Sequence, residues 1–207
     1  MAVMLDTSAG ELVIDLYTSD CPVASQNFLK LCKAKYYNNC LFFNLEPNYI
    51  IQSGDPTGTG KGGNSIFGLI RGEKHYFKDE LLTSRKHNKV GLVSMANTGE
   101  NTNASQFFIT LRSEDMNHLD GKHTILGEVA EGLDVLQKLN ELYCDEDGRP
   151  FQDVRIKHTF VLDDPFPDPP GLKEPASPDR QWPEQEQVQR RIPYEDCTFL
   201  FFFLNKK

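Results

Sequence analysis

The sequence is poor in cysteine, and its few cysteines stand far apart. There are five, and no two of them form a Cys-x-x-Cys pair. Disulfide frameworks and structural zinc sites need paired or regularly spaced cysteines, so the sequence argues against both. Reduced thiols are typical of the cytosol and the nucleus, and we expect one of these compartments.

Basic residues are also scarce. The chain of 207 residues carries 22 lysines and arginines against 30 aspartates and glutamates, which gives a formal charge of −8. A nucleic-acid-binding domain presents a basic patch or stripe on its surface. We therefore expect no direct RNA binding by this stretch of sequence.

Targeting signals and long apolar runs are missing as well. Residues 1–11 contain no basic region followed by an apolar stretch, so we expect no signal peptide. The apolar run at 199–204 is far shorter than the roughly 20 residues that a membrane span needs. We expect no association with a membrane.

Motifs for metal and nucleophile chemistry are absent or incomplete. The five histidines show no ligand spacing such as His-Glu-x-x-His, so no metal and no cofactor is expected. Composition leaves a Ser/His/Asp hydrolase open, but the Gly-x-Ser-x-Gly elbow is lacking.

A glycine-rich stretch resembles a nucleotide-binding motif only in part. Residues Gly58–Gly63 match Gly-x-Gly-x-x-Gly, which marks a dinucleotide site only between a strand and a helix. The following Asn64–Gly68 make a poor helix start, and Gly62 follows Lys61 where a P-loop needs Ser or Thr. We expect a long surface loop with tight turns.

What the sequence does contain is a series of short strand patterns. A hairpin is predicted over 3–7 and 11–17, with Leu12, Ile14 and Leu16 on one face. Further strands are predicted at 41–44, 49–52, 91–95, 106–111, 124–129 and 153–162. On the last strand, Ile156 and His158 should share a face. Many short strands with two helices indicate a closed or nearly closed β architecture.

The two predicted helices lie far apart in the chain. The first begins near Pro22, a residue suited to a first helical turn, with Ser19 or Asp20 as its cap. Its apolar stripe should be buried and Lys30 should lie outside that stripe. The second helix is predicted over 133–143.

The composition changes after residue 163. Eight of the twelve prolines lie between Pro165 and Pro193, and this segment has little apolar periodicity. Such segments bury too little apolar surface to fold. We predict a domain over residues 1–163 and a disordered, proline-rich tail over 164–207.

Three stretches carry a specific family resemblance. They are Phe42–Asp55, Val93–Ile109 and Leu119–Thr124. The second contains Ser-Met-Ala-Asn and Asn-Thr-Asn-Ala-Ser-Gln-Phe-Phe-Ile, and the third contains Leu-Asp-Gly-Lys-His. These stretches resemble the signatures of cyclophilins, and the resemblance covers about residues 1–163.

Within the cyclophilins the sequence is most similar to one nuclear branch. Residues 35–38, 54–60, 156–159 and 162–166 resemble the multidomain peptidyl-prolyl isomerase-like 4 group. Members of that group usually continue into an RNA-recognition motif, which this sequence does not reach. The resemblance implies a nuclear protein, with the cytoplasm as the alternative, and partners among RNA-processing or transcription proteins.

The resemblance also implies a fold and a reaction. The fold is a mainly β, closed eight-stranded antiparallel barrel capped by two helices, acting as a monomer. The reaction is cis–trans isomerisation of X-Pro bonds in proline-containing protein segments, which assists folding or remodelling and requires no cofactor.

Carried over residue by residue, the family's site is nearly complete. Asn44, Gln52 and Phe108 occupy the catalytic positions. The substrate-binding positions are Tyr49, Ile50, Ala96, Asn97, Gln106, His118, Leu119 and His123. Of these, Tyr49, Ile50, Phe108 and Leu119 would form the apolar slot for the proline ring, and Gln52, Asn97 and Gln106 would hold the peptide backbone.

Two of these positions depart from the family pattern. Asn44 stands where the family has its catalytic arginine, and His118 stands where many members have a tryptophan. An arginine is a charged, forked donor, whereas asparagine is shorter and uncharged. The sequence therefore predicts an isomerase of low activity, or alternatively a non-catalytic module that binds proline peptides in nuclear RNA-processing complexes. The loss of the tryptophan predicts weak cyclosporin binding.

Overall fold

The computed structural model describes residues 1–175, and residues 176–207 lie outside this description. The predictions for the apolar run at 199–204 and for most of the proline-rich tail concern residues outside it. Among the described residues, no helix is long and apolar enough to cross a lipid bilayer. The same part of the chain contains no cluster of three or more metal-ligating side chains.

Eight strands form one antiparallel sheet in the spatial order β3-β4-β6-β5-β7-β2-β1-β8. The strands are β1 (Ala2–Thr7), β2 (Gly10–Leu16), β3 (Asn44–Glu46), β4 (Ile50–Ser53), β5 (Leu92–Met95), β6 (Phe107–Thr110), β7 (Ile125–Glu131) and β8 (Ile156–Val161). The helices are α1 (Pro22–Lys33), α2 (Ile66–Arg71), α3 (Leu133–Asn140) and a 3-10 turn at Asn117–Leu119. Every predicted strand overlaps an observed one, and both predicted helices are found.

The core lies on the concave face of this sheet. Leu12, Ile14 and Leu16 of β2 point into it, as their alternation predicted. Helix α1 closes one side, where the ring of Phe28 meets the ring of Phe107 edge-on at 5.1 Å. The residues that alternate with these along each strand point to the outer face of the sheet.

The sheet is curled, but the predicted closed barrel is not confirmed. Strands β3 and β8 are its two edges and share no ladder of hydrogen bonds. Residues just before each edge strand approach one another: Leu41 and Arg155 form an isolated bridge, and the N–H of Phe42 donates to the carbonyl of Val154 at 2.9 Å.

Helix α1 begins at Pro22 as predicted, but its cap comes from a distant residue. Neither Ser19 nor Asp20 caps it, because the N-cap residue is Cys21, whose side chain makes no capping bond. The carboxylate of Glu80 instead accepts hydrogen bonds from the N–H groups of Val23 and Ala24 at 3.1 and 2.8 Å. A carboxylate also suits the positive end of the helix dipole.

Lys30 is buried, contrary to the prediction that it lies outside the buried stripe of α1. Its side chain has no exposed surface, because the segment after β8 folds back over it. Its Nζ lies 2.8 Å from Asp164, 2.6 Å from the carbonyl of Phe166 and 2.6 Å from Asp168. Leu172 also packs against the core. The contacts of the domain thus continue beyond residue 163, where the sequence predicted its end.

The glycine-rich stretch is built around a buried carboxylate. The Oδ atoms of Asp55 accept hydrogen bonds from the N–H groups of Thr57, Thr59 and Gly62 at 2.8, 3.2 and 3.0 Å. A Cβ on Gly62 would lie 2.1 Å from Asp55, so only glycine fits there. The expectation of a tightly turned loop agrees with this geometry.

A helix follows this loop, although the residue types of Asn64–Gly68 favour no helix start. Ser65 caps α2 by accepting the N–H of Gly68 at 3.2 Å. The side-chain oxygen of Asn27 also accepts the N–H of Ile66 at 2.8 Å. This partner lies far away in sequence, so local residue preferences alone did not reveal the helix.

Strand β8 contains an irregularity that reverses its expected alternation. The register against β1 shifts between Asp6 and Thr7, so that Ile156 and Thr159 are buried while His158 is only partly buried. The predicted shared face of Ile156 and His158 is therefore wrong, because the irregularity adds one residue to β8.

Candidate active site

Four residues form a row across the outer face of the sheet. The register aligns Asn44 on β3 with Gln52 on β4, Gln52 with Phe108 on β6, and Phe108 with Ser94 on β5. Successive side chains of a strand point to opposite faces, so Phe107 packs in the core while Phe108 does not. The row brings together all three positions predicted to be catalytic.

An apolar slot lies beside this row. Its buried members are Ile50, Phe108, Met116 and Leu119, with Tyr49 and Ala96 packed at its edge. The structure therefore brings the four predicted slot residues together. Sequence reasoning missed Met116, whose signal was an apolar side chain in an otherwise polar stretch, residues 112–118. The slot residues form a cluster separate from the main core, and Phe108 belongs both to this cluster and to the row.

Two histidine rings hold Phe108 in place. The ring of His87 stacks on it at 5.9 Å with a 22° interplanar angle, and the ring of His123 meets it edge-on at 5.3 Å. Burial lowers the pKa of both histidines. Both rings are therefore neutral near pH 7, and they act as packing surfaces for Phe108 rather than as charged groups.

A buried chain of hydrogen bonds fixes the His87 ring. Its Nδ1 lies 2.9 Å from Asp120 Oδ1, and its Nε2 lies 2.9 Å from Ser94 Oγ. The arrangement has the residue types of a hydrolase triad, but Ser94 has no exposed surface. The chain of bonds positions Phe108 from behind. Sequence spacing gave no sign of it, because the three residues come from separate segments.

Two glutamines connect the row to the glycine-rich loop. Gln52 Nε2 donates to Gln106 Oε1 at 2.9 Å, and Gln106 Nε2 donates to the carbonyls of Gly60 and Gly62 at 2.9 and 2.8 Å. The loop thus fixes the orientation of the Gln106 side chain, and Gln106 in turn fixes that of Gln52. The role of Gln52 in holding a peptide backbone remains a prediction.

Asn97 lies on the next loop, where its side chain is already engaged. Its Nδ2 donates to Asp79 Oδ1 at 2.9 Å and to the carbonyl of Lys122 at 2.8 Å. Asp79 also accepts from Asn103 Nδ2 at 2.7 Å. The predicted contact between Asn97 and a peptide remains a prediction, and it would have to use the side-chain oxygen or the backbone of Asn97.

The replaced tryptophan position forms part of the rim. The Nε2 atom of His118 lies 2.6 Å from the hydroxyl of Tyr49, and the two rings are stacked at 5.6 Å. The guanidinium of Arg112 lies 5.3 Å from the centre of the Tyr49 ring. Tyr49 is therefore fixed between two polar groups.

Asn44 stands at the outer end of the row with its amide available. The side chain lies against Gly148, where an added Cβ would come within 2.5 Å of Asn44 Oδ1. Among the described residues, the Nδ2 group of Asn44 makes no hydrogen bond. A neutral donor thus stands where the family resemblance implies a cation.

Comparison with known proteins agrees with this geometry. Residues 2–161 match the family described as cyclophilin-type peptidyl-prolyl cis-trans isomerase. The chain is 54% identical over 175 residues to peptidyl-prolyl cis-trans isomerase CYP59 of Arabidopsis thaliana, covering 84% of this chain and 34% of that protein. It is 53% identical over 190 residues to human peptidyl-prolyl cis-trans isomerase-like 4, covering 91% of this chain and 38% of that protein.

A solved structure supports the same assignment. A cyclophilin-type peptidyl-prolyl cis-trans isomerase of Cryptosporidium parvum, crystallised in the presence of the dipeptide Ala-Pro, superposes with a TM-score of 0.73 at 37% identity. The match covers 79% of this chain and all of that one. The chain spans 34% and 38% of the length of the two curated relatives, so it corresponds to one part of them. With the family matched over most of its length and the slot and polar row in place, the chain belongs to the cyclophilin-type peptidyl-prolyl cis-trans isomerases.

Proposed function

We propose that this chain isomerises X-Pro bonds in protein segments, and that it does so slowly because Asn44 replaces an arginine. The observation that carries the proposal is the row Asn44–Gln52–Phe108 beside the apolar slot. The slot receives the proline ring, the two glutamines hold the flanking backbone, and Asn44 is the donor at the end of the row.

The chemistry requires no nucleophile and no metal. Rotation about the prolyl bond breaks amide resonance, with a barrier of about 20 kcal/mol and a time of tens of seconds. In the twisted state the nitrogen regains its lone pair and can accept a hydrogen bond. A donor that meets this nitrogen only in the twisted state lowers the barrier, because it binds the transition state better than the ground state.

The size of the loss follows from the kind of donor. Hydrogen bonds from a charged donor are about twice as strong as those between neutral groups. Removing a donor of the oxyanion-hole type costs about 2–4 kcal/mol, which corresponds to about 10²–10³-fold in rate. Asn44 recovers part of this because its amide can still donate.

The test is NMR exchange spectroscopy on a short X-Pro peptide in the presence of the chain. We expect a measurable cis–trans exchange rate with wild type, a faster one with Asn44→Arg and a slower one with Asn44→Ala. If saturating wild-type protein leaves the exchange rate of the free peptide unchanged, the proposal of an isomerase is wrong.

A second function is favoured by the same two departures. With Asn44 and His118 in place of an arginine and a tryptophan, the site could bind proline segments without turning them over. This binding module would be favoured over the isomerase by two results together. The wild-type chain would bind the peptide without raising its cis–trans exchange rate, and Asn44→Arg would raise that rate.

The partners and location are proposals that rest on the resemblance. We propose proline-containing segments of RNA-processing or transcription proteins as partners, a monomeric state, and the nucleus as the location, with the cytoplasm as the alternative. The C. parvum isomerase was crystallised in the presence of Ala-Pro, which supports proline dipeptides as probes. Sedimentation of the purified chain and microscopy of a tagged chain test the last two points.

We also propose that the curled sheet behaves as a closed barrel in solution. The bridge between Leu41 and Arg155 and the bond from Phe42 to Val154 support this. Slow hydrogen exchange at the amides of Phe42 and Ile156 is expected, and exchange as fast as in an exposed loop would argue for an open edge.

A further inference from the structure

A groove adjoins the proline slot on the side of Asn44. Its volume is about 590 Å³, and it lies between the turn that joins β3 to β4 and the loop after α3. Asn44 and Tyr49 line both the groove and the candidate active site. A peptide whose proline occupies the slot can therefore continue into this groove.

The groove is rich in carboxylates. Glu46, Asp145, Glu146 and Asp147 all line it. Among the ion pairs of the described residues, none involves these four, and the nearby Arg149 pairs with Asp153 instead. Asn44 adds no positive charge at the border, whereas an arginine there would offset this negative potential.

One aromatic side chain of the groove wall has little cover, and a second exposed aromatic residue is bonded to it through the backbone. Tyr143, in the groove wall, is 85% exposed, and Phe151 is 69% exposed. The N–H of Phe151 donates to the carbonyl of Tyr143 at 3.0 Å, so the two residues are neighbours. An exposed aromatic face attracts lysine and arginine side chains, and carboxylates in the same groove attract the same cations.

The walls of the groove are held by hydrogen bonds. The N–H of Leu45 donates to the carbonyl of Gly148 at 2.7 Å, and the N–H of Asn48 donates to Asn140 Oδ1 at 2.6 Å. Asp145 Oδ1 accepts the N–H of Asp147 at 3.0 Å. A ligand would therefore meet a groove whose backbone is already ordered.

We infer that this groove binds lysine or arginine residues that flank the proline of the bound segment, so that the chain prefers basic proline-containing peptides. The inference rests on the proposed function, because the groove shares Tyr49 with the proline slot and Asn44 with the polar row. Aromatic faces and unpaired carboxylates together recognise a cation, and an acidic flank would be repelled.

The test compares matched peptides that differ only in the flanks of one Ala-Pro core. Each carries two arginines, two glutamines or two glutamates, placed before or after the proline. Affinities are measured by NMR titration at low salt and at 0.5 M NaCl. We expect the better-placed arginine peptide to bind about three- to tenfold more tightly than the glutamine peptide at low salt, and the glutamate peptide to bind more weakly. The arginine advantage should largely vanish at high salt.

Variants assign the preference to the groove. Glu146→Gln with Asp147→Asn removes two exposed carboxylates of the groove and keeps their shapes. Glu11→Gln with Asp15→Asn makes the same charge change on β2, four strands away from β4 in the sheet. The arginine advantage should fall at least twofold in the groove variant and stay unchanged in the β2 control.

Each result has a definite meaning. If the arginine advantage persists in the groove variant, or falls equally in the β2 control, the inference is overturned. If arginine and glutamine peptides bind equally while both shift the Phe108 resonance, the groove inference fails and the proposed function stands. If no proline peptide shifts Phe108, the proposed function fails together with the inference.

Discussion

The position of the Phe108 ring depends on the residues packed against it. His87 and His123 pack against its ring, and Asp120 and Ser94 fix His87 from behind. Changing any of these contacts would displace the Phe108 ring, which forms part of the slot. The residues predicted to be catalytic or to form the slot lie in three contiguous signature stretches, whereas the slot residue Met116 lies outside them and was missed. His123 is also among the predicted site residues, but His87 could not be predicted, because it lies outside those stretches and its partners Ser94 and Asp120 come from separate segments.

The burial of two neutral histidines predicts a loss of stability on acidification. Burial lowers the pKa of His87 and His123 in the folded chain, while in the unfolded chain both titrate near the ordinary value of about 6.5. Below that pH the two histidines bind protons more readily in the unfolded chain than in the folded chain. Their contribution is therefore complete above about pH 6.5 and is lost as pH falls.

Urea unfolding between pH 7.5 and 5 measures this effect. We expect the free energy of unfolding to decrease with falling pH in wild type, and to decrease less steeply in His123→Gln. His75→Gln, at a histidine with no contact to Phe108, is the matched control and should keep the wild-type slope. Equal slopes in wild type and His123→Gln would show that the buried ring does not contribute.

At the scale of elements, the glycine-rich loop shows how a sequence pattern can suggest the wrong ligand. Its N–H groups converge on an anion, as in a phosphate-binding loop, but the anion is the chain's own Asp55. Burial alone would raise the pKa of Asp55, yet hydrogen bonds from Thr57 and the loop glycines lower it overall. The loop in turn positions Gln106 through the carbonyls of Gly60 and Gly62.

Asp55→Asn should therefore weaken both the loop and the site. One carboxylate oxygen becomes an amide nitrogen that faces N–H donors, and such a mismatch costs about 1–3 kcal/mol. We expect that loss in urea unfolding, along with weaker binding of a proline peptide. Asp15→Asn, on an exposed position of β2, should change stability by less than about 0.5 kcal/mol. A neutral effect of Asp55→Asn would mean that the loop does not need the charge.

The helices and strands were predicted with uneven success, for a physical reason. The hairpin of β1 and β2 has a clear alternation and was predicted nearly to the residue. The cap of α1, the start of α2 and the register of β8 depend on Glu80, Asn27 and an irregular pairing with β1. These partners come from distant parts of the chain, so local periodicity does not reveal them.

At the scale of the whole molecule, the folded unit includes residues that look like a linker. The Lys30 ammonium is buried and its partners are Asp164, Asp168 and the carbonyl of Phe166. Composition suggested an end at residue 163, because proline-rich segments seldom bury apolar surface. Here two carboxylates and one carbonyl hold the segment against the rest of the domain, because their partner is a buried cation.

A chain that ends at residue 163 should be less stable than one that ends at 175. The shorter chain lacks both the segment that covers Lys30 and its partners Asp164 and Asp168, so the ammonium becomes exposed to water and its hydrogen bonds are lost. Because a hydrogen bond to a charged group contributes about 1.5–3 kcal/mol net, we expect a loss of about 2–3 kcal/mol. In the chain that ends at 175, Lys30→Met should also lower the stability, because it leaves the Asp164 carboxylate and the Phe166 carbonyl without their partner. Thermal or urea unfolding of the three proteins measures the differences. Equal stability of the chains ending at 163 and 175 would show that the segment after β8 adds nothing.

The central claim is that the outer-face row and its slot recognise proline, and a two-peptide NMR titration tests it most directly. One peptide contains a single Ala-Pro step, and its match carries alanine in place of that proline. We predict that the proline peptide shifts the amides of Gln52, Ala96 and Phe108, with little change at Leu12 and Ile14 in the core, and that the alanine peptide shifts none of them. Equal shifts with both peptides, or shifts that avoid the row, would contradict the claim.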